Sequence, residues 1–76
     1  MKSVQIKLKL AEHVKSFVQK VAMFPGELDL RSGRYVVDAK SILGIFSLDL
    51  SKPITLEIYD NDCEELLKSL EEFIIK

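Results

Sequence analysis

The side chains that could take part in chemistry are few and stand far apart in this 76-residue sequence. His13 is its one histidine and Cys63 its one cysteine, and a metal site needs more ligands than these two. Ser41 precedes a short apolar run, where a hydroxyl can cap a helix. Four acids cluster at a predicted helix start, where the helix dipole favours them: Asp60, Asp62, Glu64 and Glu65. The sequence has no glycine-rich phosphate loop and no nucleophile–base pair, so we expect no catalytic activity, metal or cofactor.

The first half of the chain contains three elements that would position these groups. Residues 3–10 alternate polar and apolar side chains, which predicts a strand with Val4, Ile6 and Leu8 on one face. The next dozen residues predict an amphipathic helix with an apolar stripe of Leu10, Val14, Phe17, Val18 and Val21. Residues 27–38 predict a hairpin that turns at Ser32-Gly33. Arg31 and Arg34 flank this turn and are expected to be solvated.

The second half predicts a short helix that opens at Ser41, a strand over residues 54–59, and a final helix. Asn61 is the predicted cap of that last helix, with Glu64 in the capping-box position. Its apolar stripe is Cys63, Leu66, Leu67, Leu70, Phe73 and Ile74, so Cys63 is expected to be a small buried hydrophobe. Pro53 separates the short helix from the strand.

The resulting order is βαββαβα in a single domain of residues 1–76. On a chain this small it predicts an α+β open-faced sandwich, with a four-stranded antiparallel sheet and three helices on one face. The net charge of −1, from 11 basic and 12 acidic residues, argues against nucleic acid or an anionic membrane as partner. There is no apolar run of signal-peptide or transmembrane length, which predicts a cytoplasmic protein without membrane insertion.

One segment carries a specific family resemblance. The string Lys40-Ser41-Ile42-Leu43-Gly44-Ile45-Phe46-Ser47-Leu48 resembles the regulatory-serine segment of HPr, the bacterial phosphocarrier of sugar transport by the phosphotransferase system. The similarity runs over roughly residues 17 to 75. It implies the HPr fold and makes Ser41 the expected site of regulatory phosphorylation by an HPr kinase. It also implies that Ile42, Leu43 and Phe46 face partner proteins, whereas Ile45 and Leu48 enter the core.

The chain departs from HPr at the start of the first helix. HPr proteins carry a Gly-Leu-His-Ala-Arg-Pro-Ala type of motif there, and its histidine accepts the phosphoryl group. Counting back without gaps from Phe24 places Leu10 at that histidine and His13 at the proline. A second register makes His13 the phosphorylated residue, with Lys15 in place of the arginine. It requires a deletion of about three residues, close to one helical turn, and it sets Glu12 beside the phosphate.

The resemblance therefore implies a regulatory HPr-like protein that acts by protein–protein interaction in catabolite repression. Its expected partners are phosphotransferase-system proteins, an HPr kinase or a carbon-catabolite regulator. Two alternatives stay open. One is an active phosphocarrier that uses His13, and the other is a binding domain that keeps the fold outside the phosphotransferase system.

Overall fold

The computed structural model describes residues 2–60 and 62–75, and it confirms the predicted order of strands and helices. The seven elements are β1 (Lys2–Ile6), α1 (Ala11–Ala22), β2 (Leu28–Ser32), β3 (Tyr35–Asp38), α2 (Ile42–Phe46), β4 (Ile54–Ile58) and α3 (Glu64–Ser69). No helix in the described part of the chain is long and apolar enough to cross a membrane.

The four strands form one antiparallel sheet in the order β1-β4-β2-β3. β4 is therefore a central strand, although it is the last strand along the chain. The β2–β3 hairpin turns at Gly33 and Arg34, one residue later than the predicted Ser32-Gly33, because Ser32 is the last residue of β2 and pairs with Tyr35. Gly33 has a φ of 60°. A side chain is strained in this conformation, which explains why a glycine stands at the first central position of the turn.

The core lies between one face of the sheet and the three helices. Alternation in the strands points every second side chain at the helices, and α1 contributes Val14, Phe17 and Val21. The strands contribute Ile6, Leu28, Leu30, Ile54, Leu56 and Ile58, all buried. The opposite face of the sheet carries polar side chains, which is the open-faced sandwich that the sequence predicts.

The link between β1 and α1 is short, as expected. β1 ends at Ile6, earlier than the strand predicted over residues 3–10, but Leu8 is fully buried, as its place on the apolar face predicts. Leu10 was predicted on the apolar stripe of α1 and is instead exposed. It occupies the N-cap position with extended backbone, which directs its side chain away from the helical stripe.

The last helix is shorter than its apolar pattern predicts. The predicted cap, Asn61, lies outside the described residues; α3 begins at Glu64, and Cys63 occupies the N-cap position, buried as expected. α3 ends at Ser69, so the prediction of one helical stripe to Ile74 is wrong. The reason is tertiary, because the end of the chain pairs with β1. The Lys7 N–H donates to the Phe73 carbonyl at 2.8 Å.

Candidate functional site

Ser41 stands at the N-cap of α2, where the sequence places it. Its backbone is extended, and its Oγ accepts a hydrogen bond from the Gly44 N–H at 3.2 Å. The Ser41 carbonyl accepts from the Ile45 N–H, so Ser41 provides hydrogen-bond acceptors for two consecutive N–H groups at the start of α2. Ser41 as a whole is exposed. The structure therefore gives Ser41 a cap function in an exposed position.

Gly44 allows this cap to form against the sheet. A Cβ on Gly44 would lie 3.2 Å from the Ser41 Oγ and 3.2 Å from the Val37 Cβ. Both distances are shorter than ordinary van der Waals contact. The glycine thus lets α2 approach β3 while the serine side chain reaches back to the helix.

The apolar side chains of α2 divide between core and solvent. Ile45 and Leu48 are buried, as expected. Leu43 is 81% exposed and Phe46 is 44% exposed. Ile42 was also expected to be exposed, but it is half-buried and packs against the core, because α2 lies close to the sheet. We call Leu43 and Phe46 the α2 patch.

Charged groups flank α2 on both sides. The Lys40 Nζ donates to the Phe24 carbonyl at 2.7 Å, which ties the residue before Ser41 to the end of α1. No acid lies in the first turn of α2. After the helix, Asp49 accepts hydrogen bonds from the Ser51 hydroxyl and N–H, which hold its pKa below the ordinary value.

His13 is the third residue of α1 and lies in its first turn. Its Nδ1 accepts a hydrogen bond from the Leu10 N–H at 3.3 Å, while the His13 N–H donates to the Leu10 carbonyl at 2.9 Å. The imidazole lies 6.2 Å from the Phe73 ring, between ring centroids. It lines a shallow pocket of about 300 Å³ together with Lys7 and Lys9.

This geometry determines which ring nitrogen of His13 carries the lone pair and which carries the proton. Because Nδ1 accepts from an N–H, it carries the lone pair, and the ring proton is on Nε2. The nucleophilic nitrogen of the neutral ring is therefore the one already engaged at the helix start. The sequence pattern does not identify these two lysines as neighbours of His13, although they flank the buried Leu8.

The remaining chemical candidates stay apart from both residues. The Asp62 N–H donates to the Asp60 carboxylate at 3.0 Å, and Glu64 and Glu65 lie in the first turn of α3. Within residues 2–60 and 62–75, no three His, Cys, Asp or Glu side chains are grouped to hold a metal ion. These acids fit the predicted role of dipole partners.

Sequence reasoning missed a polar network on the open face of the sheet. Arg31, expected to be solvated, donates from Nη2 to the Glu57 Oε1 at 3.0 Å and from Nε to the same oxygen at 3.1 Å. Glu57 is only 8% exposed. Next to it, a hydrogen bond to Asp29 raises the pKa of Tyr59 above its ordinary value. The polar residues that alternate along β2 and β4 indicate an exposed polar face. The strand register is needed to show which of them lie next to each other.

Comparison with known proteins identifies the fold. The family model described as PTS HPr component phosphorylation site matches residues 2–76. The chain belongs to this family, the HPr phosphocarriers of the phosphotransferase system. The family match includes β1 and the start of α1, which precede the resemblance over roughly residues 17 to 75. A search of curated protein sequences gives no match.

Two solved structures are similar over nearly the whole chain. HPr-C-His from Thermoanaerobacter tengcongensis is 33% identical with a TM-score of 0.79, covering 95% of this chain and 89% of that one. Phosphocarrier protein HPr from Bacillus anthracis str. Ames is 32% identical with a TM-score of 0.72, covering 97% of this chain and 94% of that one.

Proposed function

We propose that this member of the HPr family acts by binding partner proteins through α2, without catalytic activity and without carrying phosphate on a histidine. The observation that carries this proposal is the α2 patch. Leu43 and Phe46 are large apolar side chains left in solvent on a helix that has already supplied Ile45 to the core. Exposed apolar side chains that adjoin one another often mark protein–protein contact surfaces.

Ser41 is the proposed regulatory site of this surface. A phosphoryl group on its Oγ would add negative charge at the positive end of the α2 dipole, two residues before Leu43, the first residue of the patch. No acidic side chain in the first turn of α2 opposes that charge. Phosphorylation would thus change the charge of the docking surface while the capping position of Ser41 is retained.

The surroundings of His13 support the absence of a phosphohistidine. Attack through Nδ1 requires the Leu10 N–H to give up its acceptor, and attack through Nε2 requires a proton shift to Nδ1, which then faces that same N–H. Glu12, the residue before His13, adds a negative charge to the first turn of α1. The glycine and proline of the HPr motif are missing from this helix start, as its sequence shows.

An assay with purified HPr kinase and ATP tests the regulatory claim. We expect mass spectrometry to detect one phosphate on Ser41 and none on the S41A variant. S47A is the matched control, since Ser47 is an exposed serine at the other end of α2, and it should be phosphorylated like the parent chain. If Ser41 takes no phosphate, the regulatory claim fails, and the reading of a binding domain outside the phosphotransferase system is favoured.

Docking through α2 is tested by titration with a carbon-catabolite regulator, with and without Ser41 phosphate. The L43K variant should weaken binding at least tenfold, because it places a charge in an apolar contact (about 1.4 kcal/mol). I75K is the control, since Ile75 is also an exposed apolar residue but pairs with β1. Equal loss in both variants would contradict a specific role for the patch.

A second function, phosphate transfer through His13, is favoured by one observation. The imidazole lies in the first turn of α1, beside two lysines that could hold a phosphate. Incubation with phosphoenolpyruvate and enzyme I of the same organism separates the two functions. A phosphohistidine that disappears in H13A, with S41A unaffected, would overturn the first proposal.

A further inference from the structure

A row of three carboxylates crosses the open face of the sheet. Glu57 of β4 lies directly opposite Asp29 of β2, and Asp29 lies directly opposite Asp38 of β3. Like charges in directly opposite positions destabilise a sheet. Arg31 forms an ion pair with Glu57, and Asp29 lies near enough to the Tyr59 hydroxyl to raise the pKa of Tyr59. Among the described residues the Asp38 carboxylate accepts only the Lys40 N–H, and no cation there lies within ion-pair distance of it, while the Asp38 backbone carbonyl accepts the Ser41 N–H at 3.0 Å.

The strand that carries Asp38 is also the open edge of the sheet. The opposite edge, β1, is covered in part by the end of the chain, where the Ile75 N–H donates to the Gln5 carbonyl at 2.9 Å. β3 pairs with β2 alone. Its side chains are unusually apolar for an edge strand, with Tyr35 73% exposed and Val36 46% exposed.

The hairpin register decides which backbone groups of β3 face outward. The two-residue turn makes Ser32 and Tyr35 the closing hydrogen-bonded pair, so Arg31 and Val36 form the next, non-bonded pair. The N–H and C=O of Val36 therefore point away from β2. In the described part of the chain, no hydrogen bond from outside the sheet reaches them.

β3 is complementary to itself when it is paired antiparallel about Val36. In that register the Val36 of each copy exchanges both backbone hydrogen bonds with the other, and Arg34 lies opposite Asp38 of the second copy. The two-fold symmetry repeats this charge pair, so each unpaired Asp38 meets a cation. Arg34, exposed at the turn, has no ion pair within residues 2–60 and 62–75.

We infer that β3 is a self-association edge, at which a second copy of this chain adds antiparallel across Val36 and neutralises Asp38 with its Arg34. A one-residue slip would set Arg34 against the buried Ala39 and lose both charge pairs, so the charges specify the register. An added strand must place a cation opposite Asp38 and an anion opposite Arg34, and β3 of a second copy does both. A strand without these two charges would leave Asp38 unpaired, so a second copy is favoured as the occupant. The contact is short, so the dimer is weak and concentration-dependent.

Sedimentation equilibrium up to about 1 mM protein tests this inference. The variants R34D and D38R each replace two attractive pairs by two repulsive ones, and each alone should associate at least about tenfold more weakly than the parent chain. An equimolar mixture of the two should form heterodimers close to parent affinity, because both pairs are again of opposite sign. K15D, a charge reversal of the same size on α1, should not alter association, and circular dichroism checks that each variant is folded.

Restored association in the mixture is a result that misfolding of either variant cannot imitate. The inference is overturned if the parent chain stays monomeric over this concentration range. It is equally overturned if R34D associates as strongly as the parent, or if the mixture is no stronger than its components.

Discussion

The ion pair between Arg31 and Glu57 gives a quantitative prediction about stability. Glu57 lies on the central strand β4 with its side chain 11% exposed, whereas the Arg31 side chain is 49% exposed. Both guanidinium bonds go to a single carboxylate oxygen. Removal of each partner should therefore have unequal effects, because only the carboxylate is left buried without a counter-charge.

The R31M variant should lose about 2 kcal/mol of the free energy of unfolding, which is the cost of a largely buried carboxylate without its partner. For a domain of this size that loss lowers the melting temperature by about 10 °C. E57Q should cost less than about 1 kcal/mol, since the freed arginine is solvated. The double variant R31M/E57V removes both charges and places a strand-forming residue in β4, so it should be close to the parent chain.

Thermal and urea denaturation followed by circular dichroism measure these differences under two-state analysis. The order of the two single variants is the decisive result. If R31M is no less stable than E57Q, then burial of Glu57 does not determine the energetics of this face. A double variant as unstable as R31M would likewise contradict the reasoning, since it leaves no unpaired carboxylate at position 57.

Three further outcomes follow from the structure. G33A should destabilise the hairpin by about 1 kcal/mol, because its φ of 60° is costly for any side chain, and urea denaturation measures this. F17A should lose about 3–5 kcal/mol, most of the stability of so small a domain, so its thermal transition should shift drastically or disappear. In a Y35F background, absorbance titration should show Tyr59 ionising above pH 10.0, and D29N should lower its pKa. Because this pKa is raised by folding, its contribution to stability is complete below pH 10.0 and is lost as pH rises through the folded-state value.

Local pattern was sufficient to predict the elements and several of their ends. The change of period after residue 10 predicted α1, and Ser32-Gly33 predicted the hairpin turn to within one residue, because both signals depend only on neighbouring residues. The cap position of Ser41 followed for the same reason. The phosphoacceptor role of Ser41 and the docking role of the α2 patch remain predictions.

Features that depend on distant residues were not predictable in this way. The apolar spacing of Phe73 and Ile74 fits a helix, but β1 offers an open edge, and the Ile6–Ile74 bridge takes these residues out of α3. The Arg31–Glu57 pair depends on the register between β2 and β4, which no local pattern specifies. Ile42 is half-buried because α2 lies close to the sheet at Gly44. The amphipathic pattern does not predict how closely the helix approaches the sheet.

The central position of β4 has a consequence for synthesis of the chain. β1 and β2 are both made early, yet in the finished sheet they are separated by a strand that is made later. The β2–β3 hairpin is the one strand pairing that can form as soon as its residues emerge. β1 must wait, with its apolar side chains unpaired, until β4 arrives to join the two halves. Folding during translation is thus delayed until β4 has been made, and we expect the slow step to be the insertion of a strand between two others rather than the growth of a sheet from one edge.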